Sequence, residues 1–144
     1  MDLKNVVVQD AHSTYHGREV DIRIEKGIIK SIAESKFKTA SPKMITPGLM
    51  DLSSHFNDPG TEYKEDLITG LKTACEGGFT DVCILPNTLP AMDNRSTIEY
   101  VMNKASQQVT SVHPLGALSK KLEGGSLAEI LDLKESGAVA FTDG

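Results

Sequence analysis

A chain of 144 residues is long enough for one good hydrophobic core, and its 39% hydrophobic and 24% charged residues are ordinary for a globular protein. The net charge of -5 and the lack of a basic cluster argue against nucleic acid or an anionic membrane as a partner. No apolar run approaches the ~20 residues of a membrane span, and the first residues do not form a signal peptide, so we expect a cytoplasmic protein.

The first 43 residues predict a small β-rich segment. Residues 5–9 contain three consecutive valines, and residues 19–25 alternate apolar with charged side chains. A Lys26-Gly27 turn then leads into a second apolar run at residues 28–32. Alternation interrupted by a turn of this kind predicts a half-exposed hairpin.

From residue 44 onward, the pattern changes to strands that alternate with helices. We predict strands at residues 44–52, 80–85, 111–118 and 138–142. We predict helices at residues 65–76, 96–107 and 126–136. Repeated βαβ units with right-handed crossovers imply a parallel sheet.

Capping signals and apolar stripes support the last two helices. Ser96 with Glu99, and Ser126 with Glu129, fit capping boxes, and Gly137 is placed to end the third helix. The residues expected to face the sheet are Ile98, Val101, Met102, Ala105, Leu127, Ile130, Leu131 and Leu133. The two cysteines, Cys75 and Cys83, are predicted to be small buried side chains and not a disulfide or metal pair.

The most informative stretch is PGLMDLSSHFNDPG, at residues 47–60. Its apolar start, polar end and Pro-Gly turn are typical of a buried parallel strand whose C-terminal tip carries chemistry. Further motifs follow in order: Pro-Gly-x-x-x-Lys-Glu-Asp at residues 59–66, Gly-Gly-Phe-Thr at 77–80 and Pro-Asn-Thr at 86–88. Together with residues 113–144, these motifs resemble the dihydroorotase family of the amidohydrolase superfamily.

The resemblance implies an α/β fold, a TIM-type (β/α) barrel preceded by a small β-sandwich segment. Residues 1–43 would belong to the sandwich, and residues 44–144 would supply the first four strands of the barrel. Because a complete barrel needs eight strands and about 250 residues, we expect the chain to be the N-terminal portion of a longer protein. The alternative is that its four strands close by pairing with another chain.

The resemblance also implies a metal site, with zinc as the family's cofactor and His55 and Asp143 as the matching ligands. Ser53 stands where the family has the first histidine of a His-x-His pair, and a neutral hydroxyl is a poor zinc ligand. We therefore expect zinc to be absent or weakly bound. Two alternatives stay open: His55 is a strand-end histidine held by hydrogen bonds, and Asp143 is a turn residue.

The implied substrate contacts are Asn57 and Asn87. Asn57 stands where the family has an arginine that clamps the substrate carboxylate, and it lacks the charge and planar fork of that residue. Asn87 matches the family's other carboxylate contact, although a turn-forming asparagine after Pro86 is equally consistent with the sequence. The other histidines, His12, His16 and His113, lie in no ligand pattern and are predicted to be surface or core residues.

Because metal and substrate positions are both altered, we expect a dihydroorotase-like protein of pyrimidine biosynthesis that is catalytically inactive and structural or partner-binding. The resemblance implies aspartate transcarbamoylase as a partner, and a homo-oligomer is also expected. The alternative is an active metal-dependent dihydroorotase that hydrolyses the cyclic amide of dihydroorotate. A third possibility is a hydrolase of altered specificity that uses one metal.

Overall fold

The computed structural model describes all 144 residues, which divide into two compact units, Met1–Pro47 and Gly48–Gly144. None of the helices combines the length and the apolar character that a membrane span requires. Each unit has its own four-stranded sheet and its own hydrophobic cluster.

The first unit is a sheet of strands β1 (Asp2–Val8), β2 (Glu19–Glu25), β3 (Ile28–Glu34) and β4 (Lys43–Ile45), in the order β3-β2-β1-β4. β2 pairs antiparallel with both β1 and β3, whereas β4 runs parallel to β1. The predicted hairpin is therefore confirmed as β2–β3. Its alternation places Val20 and Ile22 in a buried cluster with Val6 and Val8.

The second unit alternates strands and helices along the chain. Its elements are β5 (Leu49–Ser54), α1 (Leu67–Glu76), β6 (Phe79–Ile84), α2 (Arg95–Ala105), β7 (Ser111–Ala117), α3 (Ile130–Ser136) and β8 (Ala140–Thr142). All neighbouring strands are parallel, and their order is β5-β6-β7-β8. The parallel sheet and the sequential order are confirmed, as short right-handed crossovers require.

The helices of the second unit pack on one face of its sheet. Val82 and Ile84 of β6 and Val112 of β7 lie in the same buried cluster as side chains from all three helices. Alternate residues of these strands, such as Asp81 and His113, project from the opposite face, which we call the inner face. A sheet covered by helices on one side only is the arrangement of a barrel wall.

The single strand predicted at residues 44–52 is wrong. The structure has two strands there, β4 in the first sheet and β5 in the second, separated at Pro47-Gly48. Pro47 has no amide hydrogen for a sheet ladder, and a Cβ at Gly48 would collide with the side chain of Thr80. The apolar residues on either side of Pro47-Gly48 suggested one strand, but these two residues end β4 and begin β5.

The predicted start of the third helix is also wrong. α3 begins at Ile130. Before it, Lys120–Leu122 forms a 3-10 turn, and the Lys120 amide donates to the Ser126 carbonyl at 2.8 Å, which holds Ser126 against that turn. Ser126 therefore belongs to a loop and not to a capping box. Leu127 and Leu131, predicted to face the sheet, are instead 68% and 77% exposed.

Two smaller expectations are corrected. The N-cap of α2 is Asn94, whose side chain accepts from the Thr97 amide at 3.2 Å, and not Ser96. Cys75 is exposed, while Cys83 is buried as predicted. The C-cap at Gly137 is confirmed, with φ of 119° in the left-handed region that favours glycine.

Candidate functional site

The candidate site lies where the four parallel strands of the second unit end, which we call the C-terminal edge. Parallel strands bring their carboxyl ends to the same edge of a sheet, so the loops after β5, β6, β7 and β8 meet there. The predicted residues His55, Asn57, Asn87 and Asp143 all lie in or next to these loops.

The end of β5 is held by a local carboxylate. Asp51 accepts a hydrogen bond from the Ser53 amide at 2.9 Å and from the Ser54 hydroxyl at 2.8 Å. Ser53 itself is exposed. Its hydroxyl has no charge and is a poor metal ligand. The contribution of Ser53 at the strand end is therefore the hydrogen bond from its amide to Asp51.

The structure brings the His55 side chain to the backbone of Asn87 and not to its side chain. The Nε2 atom of His55 lies 3.4 Å from the Asn87 carbonyl oxygen, a long contact in which the ring nitrogen must be the donor. A ring nitrogen that carries this proton has no lone pair for a metal, which leaves Nδ1 as the available donor atom. Both residues are exposed.

Asn57 has a backbone role at the turn after β5. Its φ of 60° lies in the left-handed region, which asparagine adopts more readily than most other residues. Its carbonyl accepts from the Thr61 amide at 2.8 Å and from the Thr61 hydroxyl at 3.2 Å. The residue that replaces the expected arginine therefore suits the conformation of the turn.

Asp143 links the ends of β7 and β8. Its carboxylate accepts from the amides of Leu118 and Ser119 at 3.0 and 2.9 Å, and from the Ser119 hydroxyl at 2.7 Å. The hydrogen bond from the Ser119 amide, followed by the one from its hydroxyl, lowers the pKa of Asp143 below its ordinary value. The structure thus places Asp143 as an anchor for the loop after β7.

These residues do not fit a zinc ion. No three His, Cys, Asp or Glu side chains are grouped so that they could hold a metal. His55 follows β5 and Asp143 follows β8, which are the two outer strands of the sheet. Both oxygens of the Asp143 carboxylate are hydrogen-bonded to Leu118 and Ser119, and His55 Nε2 faces the Asn87 carbonyl.

An ionic cluster around a buried carboxylate, next to the site, was not predicted. Asp58 is fully buried, and its carboxylate accepts from the Leu67 amide at 2.8 Å and from the Tyr100 hydroxyl at 2.9 Å. The Lys104 ammonium lies 2.7 Å from the same carboxylate. Burial opposes the charge of Lys104, but hydrogen bonds to Asp58 and Tyr100 outweigh it and raise the pKa of the lysine.

A second unpredicted pair lies on the inner face. The Nε2 atom of His113 is 2.8 Å from Asp81 Oδ1, and the Thr80 hydroxyl donates to the other oxygen at 2.8 Å. The hydrogen bond from His113 is the main cause of the lowered pKa of Asp81. His113 was expected to be a surface or core residue, and the structure makes it half-buried and paired with a carboxylate.

Weak sequence signals existed for both clusters. Tyr100 and Lys104 are four residues apart on α2, which places them on one face of the helix. Asp81 and His113 are ionisable residues of two mostly apolar strands. Neither signal identifies the partner, because Asp58 and Tyr100 are 42 residues apart in the chain and Asp81 and His113 are 32 apart.

Comparison with known proteins agrees with this geometry. The chain is 43% identical over 132 residues to a dihydroorotase of Trichlorobacter lovleyi, covering 86% of this chain and 31% of that protein. It is 44% identical to dihydroorotases of Acetivibrio thermocellus and Ruminiclostridium cellulolyticum, covering 86% and 98% of this chain and 31% and 34% of those proteins. The chain therefore spans about a third of the length of these curated relatives.

Solved structures show the same fold at low sequence identity. An L-hydantoinase (dihydropyrimidinase) from Arthrobacter aurescens aligns with a TM-score of 0.73 at 20% identity, over 97% of this chain and 32% of its own. An adenine deaminase aligns with a TM-score of 0.61 at 18% identity, over 97% of this chain and 40% of its own. The predicted fold class, the first four strands of a TIM-type barrel preceded by a small β segment, is confirmed, and that segment is a single four-stranded sheet.

The family assignment follows from the length of the match. The model of the family described as Dihydro-orotase-like matches residues 42–144, which include the whole parallel sheet and every residue of the candidate site. The motifs at residues 59–66, 77–80 and 86–88 lie within that match. This chain belongs to the dihydroorotase-like family.

Proposed function

We propose that this chain is a catalytically inactive member of its family and acts as a structural or partner-binding protein. The observation that carries the proposal is Ser53, a neutral hydroxyl at the position where the family has the first histidine of its His-x-His pair. Asp143 uses its carboxylate to hold Leu118 and Ser119, and His55 Nε2 faces the Asn87 carbonyl. Without a bound metal there is no Lewis acid and no activated water for hydrolysis of a cyclic amide.

The substrate position supports the same conclusion. Asn57 uses its carbonyl for the turn to Thr61 and has no charge to orient a carboxylate. Loss of positioning together with loss of electrostatic stabilisation lowers rates by several orders of magnitude. Asn87 remains, but its carbonyl faces His55, and its exposed side chain has no charged partner for clamping a carboxylate.

Zinc titration followed by calorimetry tests the metal half of the proposal. We expect no stoichiometric zinc on the 144-residue chain. The matched variant Ser53→His restores the His-x-His pair on the same strand and should bind zinc more tightly than the natural chain. About one tightly held zinc per natural chain, lost in His55→Ala, would contradict the proposal.

A chimera tests the catalytic half. This chain would replace the matching segment of the Trichlorobacter lovleyi dihydroorotase, which supplies the other two-thirds of a complete protein. We expect no turnover of dihydroorotate by the chimera, and partial recovery when it carries Ser53→His with Asn57→Arg. Turnover by the unaltered chimera in the usual enzyme range of ~1–1000 per second would favour the alternative, an active dihydroorotase.

The partner proposed for this scaffold is aspartate transcarbamoylase, and the chain is proposed to be a homo-oligomer. An exposed apolar pair supports a protein partner: Leu127 in the loop before α3 and Leu131 in the first turn of α3 are both open to solvent. Co-elution of the chain with aspartate transcarbamoylase from the same source would support the partnership. The variant Leu131→Lys should weaken co-elution. Separate elution of the natural chain would contradict the partnership without bearing on the proposed loss of catalysis.

A further inference from the structure

One segment beside the candidate site is closed on itself. Residues 57–67 run from the end of β5 to the start of α1 and include the Pro-Gly-x-x-x-Lys-Glu-Asp motif. We call this segment the site loop. The Asp58 carboxylate closes it by accepting from the Leu67 amide at 2.8 Å, and the Asn57 carbonyl accepts from the Thr61 amide at 2.8 Å within it. The shape of the site loop therefore depends on Asp58.

The carboxylate that closes the site loop is paired with a charge from α2. Asp58 is fully buried, and its Oδ1 accepts from the Tyr100 hydroxyl at 2.9 Å while its Oδ2 accepts from the Leu67 amide. The Lys104 ammonium lies 2.7 Å from Oδ2 and donates to the Tyr100 hydroxyl at 2.8 Å. A buried carboxylate without a counter-charge is costly, so loss of the Lys104 charge destabilises the closed form of the loop.

The site loop in turn holds the loop after β6, which contacts His55. The Leu89 amide donates to the Pro59 carbonyl at 2.9 Å, and a Cβ on Gly60 would collide with the Leu89 backbone. The Asn87 carbonyl, two residues before Leu89, is the partner of His55. Because the two loops are bonded and closely packed, the site loop fixes the position of the carbonyl that His55 contacts.

We propose that Lys104 is a positioning residue of the candidate site, acting through Asp58. With its charge in place the site loop stays closed, and without that charge the loop opens while the sheet and helices stay folded. A competing role is local to α2, because Lys104 lies in its last turn, where a cation also stabilises the helix end. The positioning role is independent of whether the site binds zinc or turns over a substrate.

Hydrogen exchange followed by NMR separates the two roles. Lys104→Met removes the charge and keeps most of the side-chain length. It should speed exchange of the Thr61 and Leu67 amides about 10-fold, because opening of the site loop breaks their hydrogen bonds, and leave the amides of β6 and β7 unchanged. Lys104→Arg, which keeps the charge, should exchange like the natural chain. The matched control is Lys72→Met, at an exposed lysine of α1.

The ring of His55 gives a second readout, at the site itself. Opening of the site loop frees the Asn87 carbonyl to move away, so Lys104→Met should shift the NMR signals of the His55 ring. His12 and His16 are exposed in the first unit and serve as internal references whose signals should stay in place. A His55 ring that does not shift would show that Lys104 positions nothing at the site and would overturn the proposal.

The exchange data can overturn the proposal in three further ways. Unchanged rates at Thr61 and Leu67 in Lys104→Met would show that the loop stays closed without the charge. Faster exchange confined to the end of α2 would assign Lys104 to the helix end. Faster exchange in Lys104→Arg, equal to that in Lys104→Met, would show that the charge is not the cause.

A milder variant keeps the test decisive if circular dichroism shows that Lys104→Met does not fold. Tyr100→Phe leaves the charge pair in place and removes one hydroxyl bond to Asp58. It should speed exchange at Thr61 and Leu67 more than in β6. An equal change in the loop and in β6 would make the cluster a general stabiliser of the fold and would contradict the positioning role.

Discussion

Two residues of the loop after β5, only three positions apart, differ sharply in how the fold holds them. Asp58 is fully buried and receives hydrogen bonds from Leu67 and Tyr100 as well as the charge of Lys104. His55 is exposed and makes one contact of 3.4 Å. The loop that carries the candidate site is therefore anchored by Asp58, which was not among the predicted site residues. His55, which was, contributes little to the conformation of the loop.

The largest expected effect comes from breaking the anchor. Asp58→Ala should lower the free energy of unfolding by about 3 kcal/mol, because it removes the buried carboxylate of the Lys104 ion pair and leaves the Leu67 amide without an acceptor. Chemical denaturation measures the change. Asp58→Asn, which keeps the shape and one acceptor oxygen, is the matched control and should lose less. If Asp58→Ala were as stable as the natural chain, Asp58 would not be the anchor of the loop after β5.

A substitution two residues farther along tests how tightly the anchored part of the loop packs. Gly60 has φ of 112°, and a Cβ there would collide with the Leu89 backbone. Gly60→Ala should therefore cost about 2–3 kcal/mol, combining left-handed strain with the collision. Gly124→Ala has the same kind of φ in open space and should cost about 1 kcal/mol. Equal losses in thermal unfolding would show that the loop can shift away from Leu89.

The Asp143 anchor should appear as a pH dependence. Its folded pKa is lowered from 3.8, chiefly by the Ser119 amide, so its stabilisation is present above that value and is lost as the pH falls through the folded pKa. The difference in stability between the natural chain and Asp143→Asn should be constant near neutral pH and should shrink in acid. Urea denaturation over a pH series measures it, with Ser119→Ala as a partial control. A difference that grows in acid would contradict the assignment.

The smallest expected effect is at His55 itself. His55→Ala should change the free energy of unfolding by no more than about 0.5 kcal/mol, since it removes one long contact from an exposed side chain. Differential scanning calorimetry can compare it with Asp58→Ala under the same conditions. If His55→Ala lowered the free energy of unfolding as much as Asp58→Ala, His55 would also be an anchor of the loop.

The sequence predicted the parts of this fold that depend on local patterns. The parallel order of β5 to β8 follows from strands that alternate with helices, and the hairpin β2–β3 follows from alternation around Lys26-Gly27. Errors occurred where a local pattern had two interpretations. The Ser126 cap signal belonged to a loop, and the apolar run around Pro47 belonged to two strands. Local propensity does not choose between such interpretations, because tertiary contacts outweigh it.

The sequence by itself determined the family, the parallel wall and the two altered positions, Ser53 and Asn57, because these rest on residue identity and spacing. Only the tertiary structure decided what the remaining site residues do. It joined Asp143 to Ser119, 24 residues away, and Asp58 to Tyr100, 42 residues away. Such bonds form only after strands and helices have packed, and a buried carboxylate such as Asp58 must then find donors wherever the fold brings them. No local pattern in the chain specifies those donors.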